Sequence, residues 1–174
     1  MALPPLATPA DATRFGYENV SEAMLARASA RVRRYTGMQI TAGTSTVTLS
    51  GPGPWRLPQR PVTGITSVTD EHGNPTAYRL EGQFLVAARC PLTVTYSHGY
   101  EELPDALVEL VCAIASRMEN MPTSVGAGVQ TEQAGSETVT WGSQAFASTS
   151  GLLPSEEAAL GRMFPTLPRT VWLV

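Results

Sequence analysis

Leu92-Thr93-Val94-Thr95-Tyr96-Ser97-His98-Gly99-Tyr100, followed by Leu103-Pro104-Asp105-Ala106-Leu107, decides how this chain folds. Leu92, Val94 and Tyr96 alternate with three hydroxyl residues, which is the period-two pattern of a half-buried strand. Gly99 ends the run. After Pro104 the period changes to that of a helix: Leu107, Leu110, Val111, Ile114, Ala115 and Met118 share one face, and Val108 and Cys112 widen it. The pattern predicts a helix over about 104–120, stopped by Pro122. Its apolar arc spans about 200° at 100° per residue, wider than one-sided packing requires. Such a helix is either central in its own fold or shared with another subunit.

Upstream, the texture is that of strands. Ser45–Ser50, Gly64–Thr69, and Tyr78–Leu80 with Gln83–Val86 across a Glu81-Gly82 loop read as strands. They are separated by Gly51-Pro52-Gly53-Pro54 and by the turn Asp70–Pro75. The region 40–100 is therefore expected to form one small antiparallel sheet inserted between helices. Before it, Ser21 starts a helix over about 20–36, with Val20 and Leu25 as a staple, an apolar stripe through Met24, Leu25, Ala28, Val32 and Tyr35, and Gly37 as the stop. Thr8-Pro9-Ala10-Asp11 starts a shorter helix, about 8–16.

Downstream, 123–151 is rich in Gly, Ser, Thr and Ala, with a strand-like Glu137–Trp141, and reads as a loop or projecting hairpin. A short helix follows over about 154–163. The tail, 164–174, holds Pro165 and Pro168 and ends in Val171-Trp172-Leu173-Val174, an apolar end suited to a partner surface or a sheet edge. The expected class is α+β: a single domain with two main helices, short terminal helices, an inserted antiparallel sheet and an extended tail.

Composition narrows the function. All twelve basic side chains are arginine, there are fifteen carboxylates, the net charge is −3, and charged residues are only 16% of the 174. Soluble domains average roughly 25%, so much of the surface is neutral or destined for contact. A net-negative chain is a poor general nucleic-acid binder. No apolar run approaches the ~18 residues of a membrane helix, and no basic, apolar N-terminal segment resembles a secretory signal. A soluble intracellular protein is expected.

Chemistry is hard to find. His72 and His98 lie in no metal-binding helix pattern, no phosphate loop or nucleophile elbow occurs, and Cys112 sits on an apolar helix flank as a buried thiol. Neither a metal nor another cofactor is expected. A small hydrolase built on His98 with a carboxylate is the weakest alternative. A binding module for a small ligand, carbohydrate or peptide, with Trp55, Tyr78 and Trp141 as an aromatic platform, is a stronger one.

Charge placement says more. Residues 14–34 hold five arginines against Glu18 and Glu22, whereas 101–137 hold seven carboxylates against Arg117. Arg27, Arg31 and Arg34 fall within a stripe of about 60° beside the apolar face of their helix. This is either a solvated face or a ridge that docks on the acidic segment of an identical neighbour, with Glu109 and Glu119 as its acceptors. A head-to-tail contact of that kind closes into a ring when the rotation allows.

The ordered set of segments resembles the head–tail connector (adaptor) proteins of long-tailed bacteriophages. The set runs from Ala30-Arg31-Val32-Arg33-Arg34-Tyr35-Thr36-Gly37, through the sheet ending at Tyr100 and the helix opened by Leu103-Pro104-Asp105, to Thr138-Val139-Thr140-Trp141, the short acidic-start helix and the arginine-containing tail. The resemblance covers about 8–174. It implies a virion protein assembled in the host cytoplasm, without catalysis or membrane contact. It implies a ring of identical subunits, commonly twelve, bound to the portal on one side and to a second connector or tail terminator on the other. Double-stranded DNA would pass through the lumen without specific binding. The tail, through Arg169, Trp172 and Leu173, is the expected portal-docking segment.

Overall fold

The computed structural model describes residues 3–88, 91–120 and 151–165, together with the backbone of 131–134 and 137–140. The protein is an α+β mix in two compact units: Gly37–Leu103 forms one, and the segments Met1–Thr36 and Pro104–Val174 form the other.

The helical unit contains α1 (Pro9–Arg14), α2 (Glu22–Thr36), α3 (Asp105–Glu119) and α4 (Pro154–Met163). Each begins where local chemistry allows. Thr8 caps α1, its Oγ accepting from Asp11 N while Asp11 Oδ2 accepts from Thr8 N, a reciprocal box with proline in the first turn. Met24 N donates to Ser21 Oγ at the start of α2. Helix α2 packs along α3, with α1 against α3 and α4 against α2. Their shared core is Leu25, Ala28 and Val32 of α2 with Leu107, Val108, Val111, Ile114 and Ala115 of α3, closed by Leu6, Leu152 and Leu160. Full burial of one such leucine or isoleucine contributes about 1.5–3 kcal/mol. The wide apolar arc of α3 has a use within the chain: α3 packs against both α1 and α2, and Leu107, Val108, Val111, Cys112, Ile114 and Ala115 are buried. One polar group enters this core. Ser29 Oγ accepts from Leu6 N at 2.8 Å and donates to Leu25 O at 2.7 Å, so its burial leaves nothing unpaired.

The β unit carries two three-stranded antiparallel sheets rather than the single sheet expected. The first has the order β1 (Gly43–Leu49), β6 (Leu92–His98), β3 (Val62–Asp70); the second has β2 (Trp55–Arg56), β5 (Phe84–Ala87), β4 (Tyr78–Glu81). Leu49, Val68, Leu92, Val94 and Tyr96 of the first sheet bury with Leu57 and Leu85 in one cluster. The decisive strand behaves as its alternation predicts: β6 is buried at Leu92, Val94, Tyr96 and His98 and half-buried between. It lies in the centre of its sheet, paired to β1 from Gly43↔His98 to Leu49↔Leu92. Beyond it Gly99 has φ +87°, and a Cβ there would run into the Thr41 carbonyl, so only glycine fits. The hairpin loop is Gly82-Gln83, one residue later than Glu81-Gly82, because Glu81 pairs with Phe84 and the left-handed φ falls on Gly82.

A third, two-stranded sheet is formed by β7 (Thr131–Ala134) and β8 (Glu137–Thr140), within the stretch read as a loop or hairpin. The tail from residue 166 onward lies outside the described residues, so the portal-docking residues Arg169, Trp172 and Leu173 do too.

Candidate functional site

The features that single out a working surface are the arginines of α2 and the carboxylates of α3. Helix α2 places Arg27 and Arg34 in the exposed class and Arg31 half-buried. Arg31 turns inward: its Nη1 donates to the carbonyl of Gly151 at 2.6 Å. Burial lowers its pKa, helped by the positive charges of Arg117, Arg27 and Arg34 and opposed by Glu156. Arg33 also has an internal partner, the Pro4 carbonyl at 2.8 Å. Arg27 Nη1 reaches the sulfur of Met24, at 3.8 Å.

Beside Arg31 lies a contact that the linear sequence does not reveal. Arg117, in the last turn of α3, grips Glu156 with two parallel bonds, Nε to Oε1 at 2.9 Å and Nη2 to Oε2 at 2.8 Å. The pair is largely shielded, with side-chain exposures of 19% and 10%. Glu156 Oε2 also accepts from Leu153 N at 2.7 Å, capping α4. Two guanidiniums, one carboxylate and the Gly151 carbonyl therefore tie α2, α3 and α4 together where the chain re-enters after residue 150. Gly151 has φ +79°, and a Cβ there would lie 2.9 Å from Cζ of Arg31. The one signal in the sequence was Glu156 at the third position of a helix. Its partner 39 positions earlier could not be read from spacing.

The acidic candidates separate in the same way. Glu109 is exposed on α3. Glu119 is exposed too, but it accepts from both Ser21 N and Ser21 Oγ, so the C-terminal end of α3 supports the N-terminal end of α2. Those hydrogen bonds hold its pKa below the ordinary carboxylate value. At the other end of α3, Arg14 bonds Asp105 at 2.8 Å on the surface. Arg27, Arg34, Glu109 and Glu119 are thus the exposed members of the predicted set, and Arg31 and Glu119 serve the fold through their bonds to Gly151 and Ser21.

The alternative sites have their own placements. His98 is 1% exposed; its Nε2 lies 2.9 Å from Ser45 Oγ, and Nδ1 is buried without a partner among the described residues. Burial lowers its pKa, favouring the neutral ring. No carboxylate bonds it among the described residues, although Glu101 lines the same shallow cavity with Thr44, Thr63 and Ser97. Trp55 is half-buried against the β core, its Nε1 donating to Ser50 O, while Tyr78 is exposed on β4 and Trp141 lies outside the described residues. Cys112 is buried, and desolvation raises its thiol to a pKa of about 11. Among the described residues no group of three His, Cys, Asp or Glu side chains could hold a metal ion. Among the same residues no helix is long and apolar enough to cross a membrane.

No family model matches the sequence, and no curated protein does. Solved structures do share the fold. One is a chain in the neck of a native gene transfer agent (GTA) particle computed with C12 symmetry, with a TM-score of 0.51 and 15% identity over 97% of both chains. Another is a chain in the virion of a native gene transfer agent particle, with a TM-score of 0.51 and 18% identity over 97% of this chain and 94% of that one. At these identities the likeness is one of fold.

Proposed function

We propose that this protein is a structural neck subunit of a phage-like particle, a head–tail connector that forms a ring of twelve copies between the portal and a tail-side connector or tail terminator. The observation that carries the reading is the likeness of fold over 97% of both chains to a protein of a particle neck computed with C12 symmetry. The site chemistry supports it. An exposed guanidinium pair on α2, Arg27 and Arg34, and an exposed carboxylate on α3, Glu109, are complementary charges on separate helices. That arrangement suits a heterologous contact repeated around a ring. Arg31 and Glu119 flank these groups and hold the two helices that present them. The tail residues Arg169, Trp172 and Leu173 dock on the portal. The particle's double-stranded DNA passes through the lumen unhindered, because a net-negative subunit lacks the basic field that would grip phosphates. No catalysis is required of such a part.

Sedimentation velocity and negative-stain electron microscopy of the chain, alone and mixed with the portal protein of its particle, test this reading. Rings in either sample are expected. A monomer in both overturns it.

A further inference from the structure

Two unfilled strand edges in this chain fit one another. In the second sheet β4 is the outer strand, and all four of its residues, Tyr78 to Glu81, are exposed. Tyr78 and Leu80 are among the few large apolar side chains of the described residues left in solvent, at 44% and 37%. Soluble proteins blunt such edges with lysine, proline or an unpaired charge. Here there is no lysine or proline, and the one cation, Arg79, is paired with Glu81. In a two-residue hairpin the flanking pair, Glu81 and Phe84, exchanges both ladder bonds, so the next pair out does not. The amide and carbonyl groups of Leu80 and Tyr78 therefore point away from β5, toward the open edge.

The second edge belongs to the β7–β8 hairpin. It hydrogen-bonds to no other strand among the described residues. A lone two-stranded hairpin is marginal in water, and a third strand or a supporting surface is what normally stabilises one. By the same register argument Ala134 and Glu137 are its bonded pair, so Thr138 and Thr140 carry the outward groups of β8. Strand β8 has four residues, as β4 has, and three of them, Thr138-Val139-Thr140, are β-branched against one, Thr131, in β7.

We infer that the β8 edge of one copy adds to the β4 edge of the next, extending the second sheet across the subunit boundary. The two edges are different surfaces, so the contact is head-to-tail, the type that a ring repeats. Main-chain hydrogen bonds supply the attraction, and Tyr78 and Leu80 gain cover. The inference rests on the ring reading, and its test separates the two.

The full chain carrying Arg79→Cys and Val139→Cys, central positions of the two strands, is treated with a short bis-maleimide, alone and with the portal protein. Diagonal cross-strand neighbours are about 7–8 Å apart, so the reagent tolerates a shift of register. A cross-linked ladder extending beyond dimer is expected. Each chain with only one of the two introduced cysteines, which controls for the native pair Cys90 and Cys112, should give at least tenfold less product. Rings in the microscope with no ladder overturn the edge contact and leave the ring. A ladder without rings upholds the edge contact as an open chain and overturns the ring. Neither rings nor ladder overturns both. Strong cross-linking of the Arg79→Cys chain to itself shows β4 pairing with β4, which also overturns the proposal.

Discussion

Replacing Gly151 by alanine tests the guanidinium–carboxylate knot that ties α2, α3 and α4. Two costs follow from the geometry. Gly151 has φ +79°, and holding an alanine in a left-handed conformation costs about 1–2 kcal/mol. The added Cβ would also lie 2.9 Å from Cζ and Nη1 of Arg31. A guanidinium at the end of a flexible side chain can swing aside, so steric overlap itself is cheap. Moving it, however, breaks the 2.6 Å bond from Arg31 Nη1 to the Gly151 carbonyl. Bonds to charged donors contribute about 1.5–3 kcal/mol, and partial exposure of Arg31 brings this one to about 1 kcal/mol. The total is about 2–3 kcal/mol, or roughly 4–12 °C in melting temperature for a chain of this size. In an Arg31→Ala background the second cost has already been incurred, and Gly151→Ala should cost only the backbone part, about 1–2 kcal/mol. Urea unfolding of the wild type, both single variants and the double variant reads this coupling directly. Equal costs of Gly151→Ala in the two backgrounds would refute the argument that Arg31 is anchored on that carbonyl.

The ring and the fold make different demands on the α2 arginines. Arg27→Glu should leave the melting temperature within about 2 °C of wild type while weakening ring assembly, whereas Arg31→Glu should lower stability by about 2–3 kcal/mol as well, because it sets a carboxylate beside Glu156 and the Gly151 carbonyl; thermal melts paired with sedimentation separate the two. Acid should loosen the helical unit. The pKa of Glu119 is held down by its bonds from Ser21, and that of Asp11 chiefly by the Thr8 side chain, then the Thr8 backbone. A depressed carboxylate stabilises the fold above its unfolded pKa, and the benefit is lost as pH falls through the folded value. Melting temperatures followed from about pH 6 to about pH 3 should therefore fall, and fall less steeply for Glu119→Gln and Asp11→Asn. Cys112, buried with its pKa raised to about 11, should resist maleimide in the native protein at about pH 8 and react only on unfolding, as mass mapping of that residue would show.

The helices and the decisive strand were legible because each carries its own period. The apolar spacing of α2 and α3 and the alternation of β6 are local patterns that tertiary structure had no reason to override. Two sheets instead of one were not legible, because β2 is only Trp55-Arg56, too short to show a period after Gly51-Pro52-Gly53-Pro54, yet it completes the second sheet by pairing with β5. The hairpin loop was displaced by one residue because the reading put Glu81 in the turn, whereas the backbone needed glycine in the first loop position. The candidate interface was legible as a charge pattern and not as an arrangement. Helical spacing put Arg27, Arg31 and Arg34 on one stripe, but whether a guanidinium faces solvent or folds back depends on Gly151, 120 positions away.

That dependence changes what the arginines mean. The chain has twelve and no lysine, and several of the described ones use the geometry of a guanidinium rather than its charge alone. Arg117 engages both oxygens of Glu156, which a single ammonium cannot match as a planar fork. Arg31 and Arg33 end on backbone carbonyls, joining the re-entering chain and the N-terminal segment to α2. Lysine at position 117 would keep the charge and lose one of the two parallel bonds within a shielded pair, where an incompletely satisfied group is costly. The positive cluster of 14–34 is therefore partly internal framework. Its exposed members on α2 are Arg27 and Arg34, on a helix fixed by its companions. An interface on so few charges needs an additional source of affinity, and main-chain pairing between strand edges supplies it without adding charge to a chain that carries so little.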